Sequence, residues 1–172
     1  VSDWSSDVCS SDLMIAVERW YDGKDPGIAE SLASSGNNDR RLLAARIASR
    51  TSSPEGVLRD LCEDSDAKIR LAAWSSLIRY DPKAAHEGLK NVDRAVRKLS
   101  ASALIDSGKV SEEDIRAIAS DSSSAVRRTL SNSMSDNQGE GLYPGLPEDL
   151  LEEVNGSVAD ASKEISASVS SA

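Results

Sequence analysis

Arg70, Arg97 and Arg127 stand in the same place relative to a recurring pattern of acidic and polar residues. Each follows a β-branched apolar residue: Ile69, Val96 and Val126. Five positions before those apolar residues lie Asp64, Asn91 and Asp121, and three positions before lie Asp66, Asp93 and Ser123. A column of arginines on one face could grip phosphates or carboxylates, because guanidinium presents a fork of donors to such oxyanions. The same column has a simpler use. Asp64, Asp66, Arg70, Asp93, Arg97, Asp121 and Arg127 can form a structural ladder in which each arginine reaches an acid in the turn of its own or the neighbouring repeat. Partly buried ladders of this kind fix the angle between repeats more than they add stability. The acids that would be the partners already stand beside the arginines, which favours the ladder.

The remaining reactive residue types give no catalytic set. Arg40, Arg41, Arg46 and Arg50 form a basic patch on one helix, and Arg127-Arg128 adds a pair. Nucleic-acid binding needs a contiguous basic face and, for single strands, aromatics interleaved with it. Here 29 acids outnumber 20 bases and aromatics are 3% of the chain, so the basic residues belong to ordinary solvated faces. Cys62 has Glu63 and Asp64 beside it, and negative neighbours suppress the nucleophilic thiolate. It reads as a small buried hydrophobe. His86 is the single histidine. With no second His or Cys near it in sequence it is no metal ligand, and its expected role is a surface or interhelix polar contact. Gly-rich phosphate loops and a Ser-His-Asp set are both missing from the sequence. No catalytic residue, metal site or cofactor is therefore expected.

The elements that must carry these residues repeat. Aligned on Leu42, Ile69, Val96, Val126 and Ile165, the sequence recurs at spacings of 27, 27, 30 and 39 residues. The two polar columns, which include Asn37 and Asp39 in the first row and Asp160 and Ser162 in the last, hold residue types that cap helix N-termini. Each repeat reads as two helices. The first is short: 26–34, 54–63, 82–90, 111–120 and 147–156. The second is longer: 39–50, 66–80, 93–107, 123–135 and 162–172. Prolines and acids open the short helices, where a fixed φ and negative charge suit a first turn. Val96, Leu99, Ala103 and Leu104 share one face at helical spacing, as do Val126, Leu130 and Met134. Trp74 falls inside a long helix and is expected in the core. No apolar run reaches the roughly 18 residues that span a bilayer. The fold class is all-α. Two-helix repeats of about 30 residues cannot bury their apolar faces alone but can do so when stacked.

Two resemblances follow. Segments such as 54–70 (PEGVLRDLCEDSDAKIR) and 115–127 (IRAIASDSSSAVR) resemble HEAT-type repeats, and also the shorter leucine-rich-repeat variant of prokaryotes. They share a leucine-bearing helix, an acidic turn, then Val/Ile-Arg opening the next helix. The likeness covers residues 25–172. It implies a right-handed α-solenoid of about four to five two-helix repeats, used as a protein-binding scaffold. The expected protein is a cytoplasmic monomer whose partner is another protein, with no nucleic acid and no membrane. Alternatives within the same resemblance are a nucleic-acid-binding solenoid of the DNA-repair glycosylase type and a HEAT-like bilin lyase or chaperone. Residues 137–146 (NQGEGLYPGL) form an extra loop that departs from the pattern, and the fifth repeat reads as truncated.

The second resemblance concerns Val1–Leu13, which is similar to the translation of a short-read sequencing adapter. On that reading residues 1–13 are a non-native tail that contributes nothing to the fold, and the repeat domain is 14–172. Without Asp3, Asp7 and Asp12 the 29 acids become 26 against 20 bases, a net charge of −6. Without Cys9, Cys62 has no partner for an intramolecular disulfide.

Overall fold

The structure is a computed structural model and describes residues 10–136 together with positions 152, 154–156, 159 and 163. All regular secondary structure among the described residues is helical. The chain divides into two compact units, Val1–Asp81 and Pro82–Ala172.

In the first unit α1 (Ser10–Trp20), α2 (Pro26–Ala33), α3 (Asn38–Ile47), α4 (Glu55–Cys62) and α5 (Ala67–Tyr80) follow one another, and α3 runs on into a 3-10 turn at Ala48–Arg50. α2 lies against α3 and α4 against α5, while α3 packs on α5 and α1 on α3. The helices start where short polar side chains take up free backbone N–H groups. Asp25 caps α2, Asn37 caps α3 and Asp66 caps α5. Pro26 sits at the first position of α2, where its missing N–H costs nothing. Leu43, Ala44, Ala45 and Ile47 of α3, Leu58 and Leu61 of α4, and Ile69, Ala73 and Leu77 of α5 are buried. The small alanines let α3 approach its neighbours closely.

The turn between α1 and α2 is fixed by Gly23. Its φ is +79°, and a Cβ placed there would lie 2.0 Å from the Arg50 carbonyl oxygen. Only glycine satisfies both conditions.

The second unit holds α6 (Ala84–Gly88), α7 (Arg94–Asp106), α8 (Glu112–Ala119) and α9 (Ser124–Asp136). α6 lies against α7 and α8 against α9, and α7 packs on α9. The arrangement of helices 2 to 5 thus recurs in helices 6 to 9. Asp93 caps α7. Ser111 and Asp114 form a reciprocal capping box on α8: the Ser111 hydroxyl accepts from the Asp114 N–H, and the Asp114 carboxylate accepts from the Ser111 N–H. Val96, Ala101, Leu104, Ile115, Ile118, Val126 and Leu130 make the core.

α1 takes in residues 10–13, the end of the stretch that resembles a translated adapter. One sequence expectation needs correction here. The helix expected at 82–90 is only the five residues Ala84–Gly88. The loop expected at 137–146 and all of the final helix at 162–172 but position 163, which is helical, lie outside the described residues, Ile165 among them.

Candidate functional site

Four arginines share one geometry. Arg41, Arg70, Arg97 and Arg127 each donate from a guanidinium nitrogen to the backbone carbonyl six residues earlier, those of Ser35, Asp64, Asn91 and Asp121, at 3.0, 2.7, 2.9 and 2.7 Å. The residue at that earlier position closes the turn with its own side chain. Asp64, Asn91 and Asp121 each accept from the backbone N–H two residues on, at 2.8 Å, and Ser35 does the same at 3.2 Å. Each arginine therefore locks the turn that precedes its helix.

This corrects the first row of the repeat. The alignment on Leu42 put Leu43 in the arginine column and Asn37 in the outer polar column. The structure moves both by two residues: Arg41 is the arginine, Ser35 the turn residue and Asn37 the helix cap. The slip arose because Arg40, exposed to solvent, stands where the later repeats have buried Ile69, Val96 and Val126. An alignment keyed on apolar residues passes over it. The signal that finds Arg41 is polar: a capping residue four positions before an arginine, recurring at 27 to 30 residues.

Arg41 and Arg97 also reach a carboxylate in the following turn. Arg41 Nε lies 2.7 Å from Asp64 Oδ2, and Arg97 Nε lies 2.7 Å from Asp121 Oδ2, with second contacts from Nη2 at 3.3 and 3.1 Å. Both pairs are two-point contacts, the geometry that guanidinium and carboxylate match best. Their side chains are largely withdrawn from water. The Arg41 hydrogen bond holds the Asp64 carboxyl below the usual carboxylate range. At Asp121 burial pushes the other way, and the bonds from Arg97 and from the Ser123 N–H outweigh it, leaving it lowered as well. Asp66 and Asp93 serve mainly as helix caps, accepting from the N–H groups of Lys68 and Ala95, and Asp66 also accepts from Asn38 Nδ2 at 3.0 Å.

Arg46 and Arg50 of the basic patch are also used internally. Arg46 pairs with Glu18 at 3.1 Å, and Arg50 donates to the Glu18 and Tyr21 carbonyls at the end of α1. These two side chains fasten α1 to the end of α3 and supply donors to carbonyls that a helix C-terminus leaves unpaired.

A second constellation lies in the second unit, beside a cleft of about 240 Å³ lined by residues that include His86, Lys90, Ser111, Glu113 and Asp114. Asp114 is only 7% exposed. Its Oδ1 lies 3.0 Å from His86 Nδ1, and its Oδ2 accepts from the Ser111 hydroxyl at 2.7 Å and the Ser111 N–H at 2.9 Å. Burial raises the Asp114 pKa, but the bonds from Ser111 and His86 more than offset it and hold the group ionised. An ionised carboxylate only accepts, so His86 must donate from Nδ1. Ser111, His86 and Asp114 thus meet in space, but in the wrong order for nucleophilic catalysis. A catalytic serine would bond to the far nitrogen of the histidine, with the carboxylate behind it. Here serine and histidine both bond to the carboxylate, and the arrangement ties α6 to α8. Nothing in the spacing of residues 86, 111 and 114 announces this meeting, because it depends on how α6 and α8 pack.

Cys62 is buried in α4, and burial, with Glu63 adding to it, pushes its thiol up to about 12. At neutral pH it carries no thiolate. Trp74 is in the core. No helix among the described residues is long and apolar enough to cross a membrane. Among the described residues no three His, Cys, Asp or Glu side chains gather in a way that could hold a metal ion. Comparison with protein families, with curated proteins and with solved structures finds no match for this chain.

Proposed function

We propose that this chain is a HEAT-like tandem-repeat scaffold, a right-handed α-solenoid that binds another protein through a helical face and performs no chemistry of its own. The observation that carries the reading is the recurrence of the arginine geometry at residues 41, 70, 97 and 127. A turn-locking contact repeated at 27 to 30 residues supports tandem units of one kind, and arrays of such units present extended surfaces to protein partners. The same contacts occupy guanidinium groups that a phosphate-binding groove would have to present. On this reading the protein is a monomer in the cytoplasm, with neither a cofactor nor a nucleic acid as ligand.

The test is direct binding. The immobilised protein should retain a partner from its native cells. That partner, once purified, should bind again in solution with fixed stoichiometry at about 200 mM salt, where nonspecific electrostatic binding is weak. Submicromolar binding of duplex DNA or single-stranded RNA at the same salt would overturn the proposal in favour of a nucleic-acid solenoid.

A further inference from the structure

Asp22-Gly23 is the single Asp-Gly pair in the sequence, and it lies in the connection between α1 and α2. Lys24 binds the Asp22 carboxylate at both oxygens. Oδ1 accepts from the Lys24 backbone N–H at 3.1 Å, and Oδ2 lies 2.7 Å from Lys24 Nζ. The bond to the backbone folds the side chain over the peptide that joins Asp22 to Gly23, and so presents Cγ to the Gly23 nitrogen. Asp64 and Asp121 make the same bond to the N–H two residues on, and each also precedes a small residue, Ser65 or Ser122. Their carboxylates are held by Arg41 and Arg97 and withdrawn from water, whereas the Asp22 side chain is 56% exposed. Gly23 has no Cβ to obstruct attack by its nitrogen. Among the described residues its N–H donates to no acceptor, so no hydrogen bond must break first.

We infer that Asp22 is a modification site, where the chain isomerises through a cyclic imide to isoaspartate. The carboxylate takes a proton from solvent. The Gly23 nitrogen attacks Cγ: the N–Cγ bond forms, one Cγ–O bond breaks, and the amide proton leaves with that oxygen as water. A second water reopens the ring at the Asp22 backbone carbonyl. Its hydroxyl goes to the carbonyl carbon, the C–N bond breaks, and its proton goes to the nitrogen. The new carboxyl on Cα returns a proton to solvent. Water is the only co-reactant.

The product has one more methylene in its main chain, and this turn has no room for it. Gly23 has a φ of +79°, and a Cβ there would stand 2.0 Å from the Arg50 carbonyl oxygen. The Tyr21 hydroxyl donates to the Asp25 carbonyl at 2.6 Å and closes the loop across its mouth. Lengthening the loop moves the Tyr21 carbonyl off Arg50, which holds the end of α1. The inference is independent of the scaffold reading.

The test incubates the full chain at neutral pH until a blocked peptide of residues 18–26 (ERWYDGKDP) has largely converted. An isoaspartate-specific carboxyl methyltransferase counts the product, and electron-transfer fragmentation of proteolytic peptides locates it. Isoaspartate should accumulate at residue 22 of the folded chain, at least ten-fold above positions 64 and 121. In heavy-oxygen water residue 22 should take up the label. Asp22→Glu keeps the charge on an exposed side chain, so circular dichroism should match the parent. Its ring would be one atom larger and forms poorly, so methyl acceptance should fall to background. The isoaspartate form, separated by chromatography, should melt below the parent, and its amide hydrogens over residues 17–21 should exchange faster. A residue 22 left intact once the peptide has converted, or methyl acceptance undiminished in Asp22→Glu, would overturn the site. An isoaspartate form that melts and exchanges like the parent would overturn its hold on α1.

Discussion

Arg97 and Ser100 lie one turn apart on α7 and show the two ways a polar group can be treated on a buried helix. Arg97 satisfies several donors at once, on Asn91, Val92 and Asp121. Removing it takes the guanidinium from the mostly buried Asp121 carboxylate, which keeps its bond from the Ser123 N–H, and hydrogen bonds to charged groups contribute about 1.5–3 kcal/mol. Arg97→Ala should therefore lower unfolding stability by that amount in urea titration, and an unchanged midpoint would show the pair to be idle. The Ser100 hydroxyl is fully buried and makes no hydrogen bond. An unsatisfied buried polar group destabilises, and alanine is the better helix former. Ser100→Ala should raise stability by up to about 1 kcal/mol. A loss on that substitution would mean that the hydroxyl has a partner in solution.

At the scale of elements, the α1–α2 connection is the most exacting. Gly23→Ala must relieve both a left-handed φ and an approach of 2.0 Å to the Arg50 carbonyl. Arg50 is also the residue that caps α1, so the strain falls on the seat of that helix. The substitution should cost more than about 1 kcal/mol, the range for glycines whose conformation other residues cannot adopt. Gly36→Ala has open space around it and should be neutral or mildly stabilising. Melting curves of the two variants separate the cases, and equal curves would mean the α1–α2 turn is loosely held. Several helices were legible in the sequence because capping residues and apolar spacing agree there. α5 and α7 run from the residues after Asp66 and Asp93, as the caps require. α1 was not legible: no helix was expected before residue 26, and Ile15 and Trp20 face water instead of forming a buried stripe. Arg41 was missed because its neighbour Arg40 breaks the apolar column. The meeting of His86, Asp114 and Ser111 had no sequence signal at all, being a product of how α6 and α8 pack.

For the molecule as a whole, carboxylates whose folded pKa values are depressed set the response to acid. Among the described residues Asp22, Asp64, Asp114 and Asp121 have folded pKa values below the ordinary one, and the last three are largely withdrawn from water. In the unfolded chain an aspartate titrates near 3.9, about the usual value. A carboxyl with a depressed folded pKa contributes stability that is fully present above its unfolded value. The contribution is lost as pH falls through the folded value, because the unfolded state then binds more protons. These three groups should leave stability nearly flat between about pH 7 and pH 5 and take it away below about pH 4. Asp64 and Asp121 owe their depression to Arg41 and Arg97, so the acid limb reports directly on the turn-locking arginines. Asp121→Asn should lower stability at neutral pH and also flatten the acid limb, since one proton fewer separates the folded from the unfolded chain. Urea titrations at a series of pH values measure both effects on one protein. An acid limb of unchanged slope in Asp121→Asn would show that the Arg97 pair does not hold this carboxylate ionised, and that the acid sensitivity of the chain lies elsewhere.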